Sequence, residues 1–169
     1  MNFTLCIFVD IFLIVSCSSS SSSSSSSSFF FFLFFRSLLR RLKITHVLNC
    51  AASKDYSSKL VDNPYAEDMI AYEEFEACDN EGYPILMHFG RARDFINEAR
   101  RQRGRVLVHC EMGVNRSGAL CIAYMMVEER LPLLQALRRA KLERPVILVN
   151  EGFQKQLIKF AMERDLLKK

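Results

Sequence analysis

Apolar positions change their period several times along the chain, and each change marks an element. Ile44-Thr45-His46-Val47-Leu48-Asn49-Cys50 is a short apolar and β-branched run, which predicts a buried strand. Asp62-Asn63-Pro64 marks a loop, and Ala71 to Ala77 reads as a second strand despite Glu73, Glu74 and Glu76. After the polar segment Asp79-Asn80-Glu81-Gly82 the period lengthens. Ile85, His88, Phe89, Ala92, Phe95, Ile96 and Ala99 recur at helical spacing, with Arg91, Arg93, Asp94, Asn97, Glu98 and Arg101 on the opposite face. The basic run Arg100 to Arg105 around Gly104 is expected to close that helix. Arg105 to His109 predicts a third short strand.

Ser117 to Met126 is apolar nearly all round, as in a helix surrounded by protein. Pro132 then introduces a helix through Leu133, Leu134 and Leu137. A last helix starts near Asn150 and buries Phe153, Leu157 and Phe160. Strands alternating with helices imply an α/β fold with a mostly parallel central sheet flanked by helices. In such folds ligands gather at the carboxyl ends of the strands, where His109 and Cys110 lie.

Composition divides the chain in two. Residues 1–35 form a low-complexity, hydrophobic extension: the apolar run Phe3 to Val15, serines from Ser18 to Ser28, and phenylalanine-rich Phe29 to Phe35. The serine run buries nothing and is expected to be disordered. Phe3 to Val15 resembles the apolar part of a signal peptide, with Val15-Ser16-Cys17 as a candidate cleavage site. Asp10 and the missing basic residue after Met1 argue against it. The run is too short and interrupted for a membrane span, although its apolar character leaves membrane contact open. Residues 36–169 carry the patterned sequence.

The net charge of +4 suits an anionic substrate and is too small for a nucleic-acid binder. None of the six cysteines makes a Cys-x-x-Cys pair, and the three histidines are scattered. No metal is expected. Unpaired cysteines fit a reducing compartment, so the expected location is the cytoplasm, with the nucleus open.

The chemistry concentrates in His109-Cys110-Glu111-Met112-Gly113-Val114-Asn115-Arg116-Ser117. A strand runs into a tight loop and then into a helix, so the loop's N–H groups can form a nest for an oxyanion. Gly113 permits the turn, and Arg116 adds a planar fork for two phosphate oxygens. The same positive field stabilises a thiolate at Cys110, placed to attack phosphorus in line. Departure of the alcohol needs a proton, for which Asp79, in the loop after the second strand, is the candidate. Ser117 is placed to donate to the Cys110 sulfur. Arg138, Arg139, Lys141 and Arg144 read as a solvated face. Cys50 and Cys78 are candidates for a reversible disulfide with Cys110.

His-Cys, five residues, Arg-Ser is the signature of the protein tyrosine phosphatase superfamily. The surrounding stretches resemble the small atypical dual-specificity phosphatases: Ile44 to Asn49, Asp79 with the helix after it, Ala123-Tyr124-Met125-Met126, and Asn150 to Leu157. The resemblance runs from about Leu42 to the end. It implies a domain of that fold with Cys110 as nucleophile, Arg116 as phosphate ligand, Asp79 as general acid and Ser117 as the aid to thiolate departure. His109, Glu111, Met112, Gly113, Val114, Asn115 and Arg116 would form the phosphate-binding loop. It also implies no cofactor, phosphorylated proteins as substrates, signalling kinases among them, and activity on both tyrosine and serine/threonine phosphates. Two departures stand out. Pro84 replaces a commonly acidic residue. The Ser/Phe tract stands where a strand and helix usually open the domain, which is expected to leave a sheet edge uncovered. Alternatives are a weak or inactive phosphoprotein-binding scaffold, or a phosphatase for a non-protein ester. The absence of basic residues inside the loop speaks against a polyphosphorylated ligand.

Overall fold

The computed structural model describes residues 5–8, 11–14, 35–52 and 63–167. Strands β1 (Leu5–Phe8) and β2 (Ile11–Ile14) form an antiparallel pair. A helix over residues 35–41 (α1) follows, then β3 (His46–Asn49) and β4 (Ala71–Glu74). After a 3₁₀ turn at Ile85–His88 come α2 (Phe89–Arg101), β5 (Val106–His109), α3 (Arg116–Glu128), α4 (Leu133–Glu143) and α5 (Glu151–Met162).

The sheet order is β1-β2-β5-β3-β4. Every neighbour pair except β1 with β2 is parallel, and the registers align Ile14, His109, Asn49 and Glu74 at one edge. The mostly parallel sheet expected from the sequence is therefore present. The uncovered edge is not: β2 pairs along β5, and α1 supplies a helix before β3. In sequence, Phe3 to Val15 reads as one signal-like run. Two four-residue apolar strands look the same as one apolar segment when periodicity is the only guide. The serine run and residues 29–34 lie outside the described residues.

Alternation along the strands sorts the core into two layers. Leu48, Val106 and Val108 face α2, α3 and α5, meeting Ile96, Leu120, Ile122, Phe153 and Leu157. Val47 and Leu107 face the other way, against Leu39 of α1, Ile44, Tyr65 and Ile70. All residues of α3 from Arg116 to Met126 are buried, as its all-round apolar sequence requires. Several boundaries differ from expectation: the strand read over Ile44 to Cys50 is His46–Asn49, and the one read over Ala71 to Ala77 ends at Glu74. The helical pattern from Ile85 opens as a 3₁₀ turn, with Pro84 at its N-cap. At the end of α2 the left-handed residue is Arg103 (φ 54°), not Gly104. Gly104 is needed for space, because a Cβ there would sit 2.2 Å from Thr45 Oγ1.

On the far layer Arg36 and Arg40 of α1 clasp Asp68, with Arg36 Nε 2.5 Å from Oδ2 and Arg40 Nε 2.5 Å from Oδ1. The bond from Arg36, helped by that from Arg40, holds the Asp68 carboxyl below its usual range. A carboxyl depressed in the folded state adds stability above its unfolded value. That stability is lost as pH falls through the folded value. The melting temperature should therefore drop below about pH 4. Asp68→Asn should flatten that acid limb while lowering stability at neutral pH, a contrast that thermal melts across the range from about pH 3 to about pH 7 will measure.

Candidate active site

The site is built where β5 ends. Cys110 is 2% exposed, and its Sγ lies 3.1 Å from Ser117 Oγ in the first turn of α3. Gly113 takes φ 60°, the left-handed turn that favours glycine. Asn115 occupies the N-cap of α3 but makes no capping bond with its side chain. Its Oδ1 instead accepts from the backbone N–H groups of Val149 (2.8 Å) and Asn150 (3.0 Å). The first-turn N–H groups of α3 are thus left without a side-chain cap, at the end of a helix that attracts anions.

Arg116 is 8% exposed and spends its guanidinium unevenly. One terminal nitrogen donates to the Ala77 carbonyl at 3.1 Å, and the other to Glu111 Oε2, also at 3.1 Å. Its Nε is buried without a hydrogen-bond partner, 3.9 Å from Asp79 Oδ2. An unsatisfied buried donor costs about 1–3 kcal/mol. A phosphate oxygen at that spot would satisfy it. Met112 is exposed, and its carbonyl accepts from the Arg144 guanidinium at 3.2 Å, so Arg144 belongs to the rim of the loop and not to a purely solvated face. Val114 is fixed by Leu148 N–H, which donates to its carbonyl at 2.9 Å.

Asp79 reaches this cradle despite Pro84. Its Oδ1 accepts from Asn150 Nδ2 at 2.9 Å and its Oδ2 from Asn115 Nδ2 at 3.2 Å. The segment around it is anchored at several points. Tyr83 Oη donates to the Glu76 carbonyl at 2.8 Å and lies 2.7 Å from His88 Nε2, and His88 stacks on Phe75 with ring centroids 4.2 Å apart. Gln156 of α5 donates to the Tyr83 carbonyl at 2.8 Å. Burial, and then Arg91, holds the His88 ring below its ordinary value, which favours the neutral form in this stack.

His109 has its Nε2 buried without a partner, and burial pushes its pKa down to about 4, with the Cys110 backbone pulling the other way. It is therefore neutral at physiological pH and fits a role in shaping the loop. Cys50 follows β3, with its N–H donating to the His109 carbonyl at 2.7 Å. Burial, with Cys110 and Cys121 nearby, raises its thiol well above the usual value. Cys78 is exposed.

The structure thus brings Cys110, Arg116, Ser117 and Asp79 together with the loop residues named from sequence. Sequence reasoning missed the Ala77 carbonyl, the rim position of Arg144 and the use of Asn150 beyond starting a helix. A backbone carbonyl leaves no trace in residue types. Asn150 did carry a signal, being an N-cap residue whose side chain has donors as well as an acceptor.

This strand, cysteine loop, arginine and helix fall inside residues 34–163, which match the family described as "Dual specificity phosphatase, catalytic domain". The chain belongs to that family. It is 42% identical over 129 residues to dual specificity protein phosphatase 26 of Bos taurus, covering 76% of this chain and 58% of the relative. It is 37% identical over 122 residues to dual specificity protein phosphatase 1 of Arabidopsis thaliana, covering 72% and 58%. The chain thus spans less than two thirds of the length of these relatives. The crystal structure of DUSP15 is 31% identical with a TM-score of 0.64, covering 78% of this chain and 80% of that one. Human DUSP28 superposes with a TM-score of 0.72 at 23% identity over 98% and 97% of the two chains, a likeness of fold. The small parallel sheet with flanking helices is the dual-specificity phosphatase architecture.

Proposed function

We propose that this chain hydrolyses phosphotyrosine and phosphoserine/phosphothreonine in proteins through a phosphocysteine intermediate. The observation that carries this reading is the buried Cys110 sulfur at the amino end of α3, beside an Arg116 whose Nε lacks an acceptor. The Cys110 thiolate attacks phosphorus, and the bond to the substrate oxygen breaks. Asp79 gives that oxygen its proton, which matters most for alkyl oxygens of serine and threonine. Arg116 and the loop N–H groups hold the non-bridging oxygens. In the second step Asp79, now a carboxylate, takes a proton from water as the water attacks the phosphocysteine. The Cys110 thiolate leaves, helped by the hydrogen bond from Ser117.

The catalytic domain is assigned to residues 36–169, supported by the family match over 34–163, with β1 and β2 adding to its sheet. Signalling kinases are proposed among its substrates. The proposed site of action is the cytoplasm or nucleus. Among the described residues no helix is long and apolar enough to cross a membrane. A scaffold reading finds less support, because the cysteine, arginine, serine and aspartate all sit within reach of one cradle.

The test is hydrolysis of phosphotyrosine and phosphothreonine peptides in the presence of a chelator. Release of phosphate from both supports dual specificity, and release from neither by the folded protein overturns the reading. Ser117→Ala should slow the second step more than the first. Loss of one hydrogen bond to the leaving thiolate is expected to lower kcat by about tenfold or more. kcat/KM should change little, and rapid-quench experiments should show a larger burst of the released alcohol.

A further inference from the structure

Asn150 and Asn115 meet the Asp79 carboxylate with one amide each, and neither amide is free to turn. The oxygen of Asn150 accepts from Phe153 N–H at 3.1 Å as the N-cap of α5. The oxygen of Asn115 accepts from the N–H groups of Val149 and Asn150. A carboxamide has one oxygen and one NH₂. With each oxygen committed to backbone donors, each NH₂ must face away from them, and both face Asp79. The orientation is therefore set by the fold of the Leu148 to Phe153 segment and not by the aspartate.

We propose that Asn150 and Asn115 form an amide clamp that positions Asp79 for proton transfer. This rests on the reading of Asp79 as the general acid. The two NH₂ groups pin both carboxylate oxygens, so the loop delivers the acid at one place relative to Cys110. They are donors only, so they also hold the negative charge that remains on Asp79 after it has given its proton. Asn115 ties the clamp to the phosphate loop, so cradle and acid are aligned by one residue. Asn150 lies outside that loop and acts through Asp79.

The clean variant is Asn150→Ser. A serine hydroxyl still caps α5 but is too short to reach Asp79 as the amide does. Aryl phosphates of graded leaving-group basicity separate positioning of the acid from general damage. For phenyl phosphate, whose phenolate needs a proton, kcat/KM should fall about tenfold, the worth of one charge-assisted hydrogen bond. For 4-nitrophenyl phosphate, whose leaving group needs little help, it should fall less than about threefold. Equal losses on both substrates would overturn the clamp. So would a full Asn150→Ser effect in an Asp79→Asn background, since the clamp acts only through that carboxylate. The underlying reading fails separately: Asp79→Asn that does not discriminate between the two esters removes Asp79 as the acid. Should Asn150→Ser not fold, Asn150→Asp preserves shape and cap while replacing the donor with a like charge. It should steepen the leaving-group dependence further, and an unchanged dependence would overturn the proposal.

Discussion

Cys110→Ser will leave the protein folded and lower turnover of 4-nitrophenyl phosphate by about 10⁴-fold or more, the scale on which removing a nucleophile is felt. Serine differs from cysteine by one atom, and at 2% exposure its hydroxyl keeps a partner in Ser117 Oγ, 3.1 Å away from the present sulfur. The buried polar atom is therefore not orphaned, and a melting temperature within a few degrees of wild type is expected. What disappears is the proposed sulfur nucleophile. An alcohol at this position stays protonated at neutral pH, and its partner Ser117 is no base to take the proton. The cradle itself is untouched, because Arg116 and the loop N–H groups do not depend on the sulfur. Inorganic phosphate is consequently expected to raise the melting temperatures of the variant and of wild type alike. Substantial turnover by a folded, chelator-treated Cys110→Ser protein would rule out the phosphocysteine route.

Gly152→Ala is expected to be the most disruptive small change away from the cradle. A Cβ at residue 152 would lie 1.9 Å from the Glu81 carbonyl oxygen and 2.5 Å from its carbon and Cα. All three are backbone atoms, so no side chain can swing aside. Either α5 lifts from the Asp79–Gly82 segment or that segment moves. Overpacking of this kind costs about 1–3 kcal/mol or more. For a domain of this size that is a drop of about 5 °C or more in the melting temperature. Because the displaced backbone follows closely on Asp79, activity on poor leaving groups should fall with it. Gly90 in α2 provides the contrast: a Cβ there would meet nothing within 4 Å, and Ala should be neutral or stabilising. If both alanine variants melt alike, the close approach of α5 to Glu81 is not a constraint.

Much of this was legible in the sequence for a physical reason. Strand β5, the cysteine loop and α3 are consecutive, so local rules of strand, turn and helix N-terminus describe nearly the whole phosphate cradle. Gly113 and the all-round apolar α3 follow from residue type alone. Asp79 could be placed at the right end of the sheet, because parallel strands share a direction. What holds Asp79 there could not be read. Its two amide partners lie 36 and 71 residues further on. Their oxygens are satisfied by backbone N–H groups whose positions depend on the finished fold. Likewise the Arg116 donor to the Ala77 carbonyl spans 39 residues and names no side chain at its acceptor end. The opening strands were hidden differently: Asp10 breaks the run between Leu5–Phe8 and Ile11–Ile14, but four-residue apolar pieces are too short for periodicity to mark them as strands.

The order in which these partners leave the ribosome follows from the same spacing. Asp79 is made first, then Cys110, Asn115 and Arg116, and Asn150 only with the last helix. A nascent chain halted before α5 already carries Cys110 and Arg116, the proposed nucleophile and phosphate ligand. It lacks the Asn150 hydrogen bond to Asp79, the proposed proton donor, and the Gln156 contact that anchors the Tyr83 carbonyl. Such a chain also lacks Phe153 and Leu157 of the core layer, so the fold and its full set of site contacts are expected to arrive together with the final helix.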